Sequence, residues 1–79
     1  MDNQEVIFHL GTAIRQELER QQRSVTWFAN QIYCSRTHVY RIFEKDNMDI
    51  KLLLRISDAL GHNFFKDISE AKLSHILQQ

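Results

Sequence analysis

Ser24 and Ser35 stand eleven residues apart, each at the head of a short amphipathic stretch, and this spacing restricts the fold more than any other feature. Serine is a favoured helix N-cap, because its hydroxyl accepts a hydrogen bond from a backbone N–H that the first turn otherwise leaves unpaired. Two caps so close leave room for about two turns of helix over VTWFANQI and a connection of roughly three residues around Tyr33 and Cys34. A second helix then opens on RTHVYRIFEK. Helices on so tight a connection must cross at a large angle. Trp27, Phe28, Ala29 and Ile32 supply the buried side of the first, with Trp27 at its core or core edge; Val39, Ile42 and Phe43 recur at helical spacing in the second.

The flanking sequence follows the same helical period. Val6, Ile7, Leu10, Ala13, Ile14 and Leu18 form a stripe at steps of three and four, which predicts a helix capped by Asp2 or Asn3 and running to about Gln21. Gly11 lies inside it at a cost of about 1 kcal/mol relative to alanine, and a closely packed helix neighbour would explain it. EKDNMD is a polar break, and Asp49 is placed to cap a helix carrying Ile50, Leu53, Leu54, Ile56, Ala59 and Leu60, the most apolar in the chain. Gly61 stands where a helix-ending glycine belongs. Phe64, Phe65 and Ile68 are expected to close the core from a short fifth helix. The tail, residues 69–79, offers a further helical piece whose Leu73, Ile76 and Leu77 serve either as a last layer of core or as a dimer seam. The absence of proline and the presence of only two glycines argue against a turn-rich β fold. The expectation is a single all-α domain spanning residues 1–79.

Several function classes are excluded at this level. Cys34 has no partner for an internal disulfide, which suits a reducing compartment. MDNQEVIFHL has acids and no basic segment, unlike a secretory signal, and no apolar run reaches the roughly 20 residues that span a bilayer. The chain is therefore expected to be soluble and cytoplasmic. Cys34 and His38 lie four apart, but a structural zinc site takes four such ligands, and His9, His62 and His75 show no paired spacing. No metal or cofactor is expected. There is no glycine-rich phosphate loop and no nucleophile with a base and an orienting partner, so the chain does not read as an enzyme. Asp46 and Asp49 read as loop and cap residues.

The formal net charge is zero, yet it is unevenly spread. Residues 1–22 carry a net of −2 and residues 46–79 a net of −1, whereas residues 23–45 hold Arg23, Arg36, Arg41 and Lys45 against Glu44 alone, a net of +3. Residues 24–45 thus combine two short helices, a tight turn and a basic second helix, which is the plan of a helix-turn-helix. In that unit the first helix braces the second, whose outer face enters a DNA major groove about 12 Å wide.

The chain resembles the Cro-type (XRE-family) helix-turn-helix of phage repressors and bacterial regulators, from about Leu10 to Ile68. The resemblance rests on Phe28 and Ala29, then Ile32, then CSRTHVYRIF, then LLLRISDALG ending at Gly61. Ser35, Arg36, Val39, Arg41 and Ile42 fall on the family's recognition-helix pattern. It implies a compact five-helix, lambda-repressor-like domain that reads double-stranded DNA. Arg36, Thr37 and Arg41 would face the bases, with Arg36 or Arg41 placed for guanine O6 and N7. Arg23, Ser24, Val25, His38, Tyr40 and Lys45 would lie against the backbone or at the edge of the contact. The implied partner is an operator, palindromic if the chain is a homodimer, and the implied role is transcription regulation in a bacterial cytoplasm.

Two positions depart from the pattern. Tyr33 stands where the family's turn usually has glycine, so either the turn takes another geometry or it holds a non-glycine residue at positive φ. Phe43 is aromatic where the family tends to be polar. These aromatics, Tyr40 and the neutral net charge also fit a different class, a protein-interaction module on the same helical scaffold.

Overall fold

Each helix of the computed structural model starts on a polar side chain that takes up a backbone N–H. The structure describes the backbone of residues 8–77 and the side chains of residues 8–71. The helices are α1 Leu10–Arg20, α2 Val25–Gln31, α3 Arg36–Phe43, α4 Ile50–Leu60 and α5 Phe64–Leu77. Ser24 Oγ accepts from the Trp27 N–H at 3.0 Å, Ser35 Oγ from His38 at 3.1 Å, and Asp49 Oδ1 from Leu52 at 2.8 Å. Asn63 Oδ1 does the same for Lys66 at 3.1 Å. The expected caps at Ser24, Ser35 and Asp49 are therefore in place, and Gly61 ends α4 in the left-handed conformation at φ 61°.

Two boundaries differ from the sequence expectation. Helix α1 begins at Leu10, where His9 Nδ1 accepts from the Thr12 N–H at 3.1 Å, rather than running up from Asp2 or Asn3. Those two residues, with Val6 and Ile7, lie outside the described part. At the other end, the expected short fifth helix and its separate tail piece form one continuous helix, α5, because no glycine or proline interrupts residues 64–77. The side chains of Leu73, Ile76 and Leu77 are outside the described residues.

The five helices enclose one core and make a compact all-α domain. Its buried residues are Leu10, Ile14 and Leu18 from α1, Phe28 and Ala29 from α2 with Ile32 just beyond it, and Val39 and Ile42 from α3. Leu53, Ile56 and Leu60 from α4 and Phe64 from α5 complete it. Phe65 and Ile68 pack against this core half-buried. Ile50 and Leu54, assigned to the apolar face of α4 by sequence, are instead exposed. Leu53, Ile56 and Leu60 already fill the inward stripe, and Leu54, one residue on from Leu53, is turned about 100° away from it. No described helix is long and apolar enough to cross a membrane.

Gly11 marks the closest approach in the domain. Its N–H donates to the Lys45 carbonyl at 2.7 Å, so the start of α1 abuts the end of α3. A Cβ at this position would lie 2.5 Å from the Ile42 carbonyl oxygen and closer still to that of Phe43. The close helix neighbour expected from a mid-helix glycine is present. Backbone oxygens cannot swing aside as a side chain can, so Gly11→Ala forces α1 off α3. Alanine's better helix propensity favours the variant by about 1 kcal/mol. We expect the clash to prevail, with a net loss of about 1–3 kcal/mol in urea unfolding; a stabilised variant would contradict the contact.

A polar network ties the far end of α1 to the α4–α5 junction. Glu17 is buried and accepts from Arg20, through Nε at 3.0 Å and through a terminal guanidinium nitrogen, and from Gln21 Nε2 at 2.7 Å. Gln21 Nε2 also donates to the Leu60 carbonyl at 2.7 Å. His62 lies between two carboxylates, with Nε2 2.6 Å from Asp67 and Nδ1 3.7 Å from Glu17. The hydrogen bond from Arg20 outweighs the opposing effect of burial and, with Gln21 and His62, pulls the Glu17 carboxyl from 4.5 down to about 2. The unfolded chain then takes up the proton first, so this stabilisation is complete above pH 4.5 and is lost as pH falls toward 2. Wild type should exceed Glu17→Gln in stability at pH 7, and the gap should close across that acid window when urea midpoints are compared.

Candidate functional site

Helix α3 is anchored along one side and exposed along the other. Val39 and Ile42 are completely buried, α2 braces it through Phe28, Ala29 and Ile32, and α1 abuts its end at Gly11. Arg36, Thr37, His38, Tyr40, Arg41, Glu44 and Lys45 are all exposed. At about 100° per residue, Thr37, Tyr40, Arg41 and Glu44 share one outward stripe, with Arg36 and His38 on its two margins. Of the sequence candidates, α3 therefore gathers Arg36, Thr37, His38, Tyr40 and Arg41 on one surface, and Glu44 places an acid among them.

The remaining candidates frame that surface. Arg23 lies over the Trp27 ring with its guanidinium carbon 4.4 Å from the ring centroid, a cation–π contact that orients it at the entrance to α2. Trp27 is half-buried, in keeping with a core-edge position. Ser24 is exposed and already engaged as a cap, and the Val25 side chain is half-buried against the core. Lys45 divides its roles: its carbonyl receives Gly11 while its side chain is exposed.

The turn before α3 adopts the left-handed geometry that glycine usually supplies. Tyr33 has φ 57°, its N–H donates to Asn30 O at 3.4 Å, and the Cys34 N–H donates to Ala29 O at 3.0 Å. The same pair of bonds ends α1 around Gln22 at φ 58° and ends α4 around Gly61. In this motif a left-handed residue lets two consecutive N–H groups satisfy the last helical carbonyls. Here only one of the three such positions is glycine, so the chain accepts left-handed strain at Gln22 and Tyr33. The Tyr33 side chain is 88% exposed and gains little by packing. Cys34, beside it, is partly buried, and burial pushes its thiol above the ordinary value against the pull of Arg55.

A hollow of about 420 Å³ opens beside α3, lined by Arg15, Leu18, Glu19, Arg23, Val25, Tyr40, Phe43 and Glu44. Phe43, aromatic where the resemblance expected a polar residue, forms its wall with Tyr40, the two rings meeting edge to face at 6.0 Å. Arg15 and Glu19 pair across its rim at 3.2 Å. Sequence reasoning did not associate Arg15, Leu18 and Glu19 with this region, because they belong to α1 and reach α3 only through the tertiary fold. Among the described residues, no three histidine, cysteine, aspartate or glutamate side chains converge as metal ligands do. Comparison with protein-family models, with curated proteins and with solved structures gave no significant match.

Tyr33 supplies a direct test of the turn. Tyr33→Gly removes a left-handed side chain that packs against little, while adding backbone freedom to the unfolded chain. The balance predicts a gain of about 0.5–1 kcal/mol in chemical denaturation, with helicity unchanged. A loss of stability would show that the tyrosine makes a contribution the geometry does not reveal.

Proposed function

We propose that residues 24–45 form a helix-turn-helix of the Cro type and that the domain binds double-stranded DNA in a sequence-specific way. The observation that carries this reading is the outward surface of α3, where Arg36, Thr37, Tyr40 and Arg41 project from a helix anchored by Val39 and Ile42. A helix held in this way fits a major groove, and its guanidinium groups can each donate two hydrogen bonds to guanine O6 and N7. Arg36, Thr37 and Arg41 are assigned to base edges. Arg23, His38, Tyr40 and Lys45, with Ser24 and Val25 at the start of α2, are assigned to the phosphate backbone, where contacts position without specifying. No bond is made or broken: the action would be occlusion of an operator or recruitment to it. With a net charge of zero, one domain would bind modestly, so operator affinity would come from two copies on paired half-sites.

A second reading, a protein-interaction module, is favoured by the hollow beside α3, whose Leu18, Val25, Tyr40 and Phe43 are ringed by charges of both signs. Selection of bound sequences from a random duplex pool separates the two. DNA reading predicts an enriched motif and a log–log salt dependence that falls steeply. For the enriched duplex, Arg36→Ala and Arg41→Ala should each lose about 1–3 kcal/mol of discrimination by anisotropy titration while the domain stays folded. No enrichment, or unchanged affinity in both variants, would transfer the assignment to the protein-interaction reading.

A further inference from the structure

Ile50 and Leu54 place large apolar side chains on the outside of α4, 67% and 55% exposed and one helical turn apart. Beside them is an open hollow whose lining includes Leu54, Ser57, Gly61 and Phe65. Lys51 and Asp58, both exposed, flank the same strip. We infer that this face of α4 is a self-association surface, on which a second copy of the chain packs antiparallel about a two-fold axis beside Leu54.

The argument is one of register. Measured from Leu54, Lys51 lies about 4.5 Å toward the start of α4 and is rotated about 60° to one side; Asp58 lies about 6 Å toward its end and is rotated about 40° to that same side. A two-fold axis across two antiparallel helices reverses height and keeps side. Lys51 of each copy therefore meets Asp58 of the other, giving two symmetry-related ion pairs. Ile50 and Ser57 follow the same rule on the other side, about 40° and 60° round and about 6 Å and 4.5 Å from Leu54. Ile50 of each copy is thus set over Ser57 of the other, at the hollow that Ser57 and Gly61 line. Leu54 meets itself. A two-fold interface must be complementary to itself, and this strip satisfies the requirement in charge and in the register of its apolar side chains. That selects a second copy over an unrelated partner.

The test is sedimentation equilibrium of the full chain without DNA, so its outcome is separate from that of the DNA reading. Wild type should show a reversible monomer–dimer equilibrium. Leu54→Asp, which places two carboxylates at the axis, should weaken it at least about tenfold with the far-ultraviolet circular dichroism unchanged. Lys51→Asp and Asp58→Lys should each weaken it, and the two together should restore it. In a Cys34→Ser background, Leu54→Cys should oxidise to a disulfide-linked dimer. Ile50→Cys should not, because its two copies lie about 12 Å apart along the helices, beyond the reach of a disulfide. A wild type that stays monomeric at millimolar concentration, or a dimer indifferent to Leu54→Asp, overturns the inference. So does a double charge swap that fails to rescue.

Discussion

The abutment of α1 on the last turn of α3 is the contact on which the rest of the arrangement depends. The Gly11 N–H reaches the Lys45 carbonyl, and the bare Cα lets α1 approach the Ile42 and Phe43 carbonyls more closely than any side chain would allow. Helix α3 has only eight residues, too few to be stable in isolation. It is stabilised by burying Val39 and Ile42 and by having both ends defined: Ser35 and the Tyr33 turn at one, Gly11 at the other. A free N–H from the start of one helix answering a free carbonyl at the end of another also removes unpaired groups from both. The outward surface of α3 inherits its rigidity from these contacts, and the proposed DNA reading needs that rigidity more than it needs any one charge.

Among the described residues, α1, α2 and α4 end by one device, at Gln22, Tyr33 and Gly61. With so little glycine, the motif is built twice on residues that strain it. At Tyr33 the strained residue lies in the turn that joins α2 to α3, the helix that carries Arg36, Thr37 and Arg41. Strain there is tolerated because the two backbone bonds and the buried Ile32 beside them fix the geometry more strongly than the side chain opposes it.

The opposite end of α1 is held by polar contacts. Glu17 accepts from Arg20 and Gln21 and faces His62, Gln21 reaches the Leu60 carbonyl, and His62 in turn meets Asp67, so α1, α4 and the start of α5 are joined by polar contacts as well as by Leu18, Leu60 and Phe64. Helix α1 is therefore a strut with an apolar middle, a close backbone contact at one end and a charged clamp at the other. The outer face of α4, with Ile50 and Leu54, is left exposed.

Local features were legible from the residues themselves. Ser24, Ser35, Asp49 and Gly61 each act within one turn of their own position, so caps, helix ends and the tight α2–α3 connection could be read directly. The buried stripe of α3 was legible for the same reason, since helical period alone separates Val39 and Ile42 from Arg36, Thr37 and Arg41. What depends on residues far apart in the chain was decided only by the tertiary structure. Helix α1 starts at Leu10, where Gly11 meets the end of α3; Glu17 is buried beside His62 at the α4–α5 junction; Leu54 is exposed because its neighbours had already filled the inward face. Tyr33 lies between the two cases. Its sequence position marked the turn, and only the packing of α2 against α3 settled that a tyrosine would hold the left-handed conformation there.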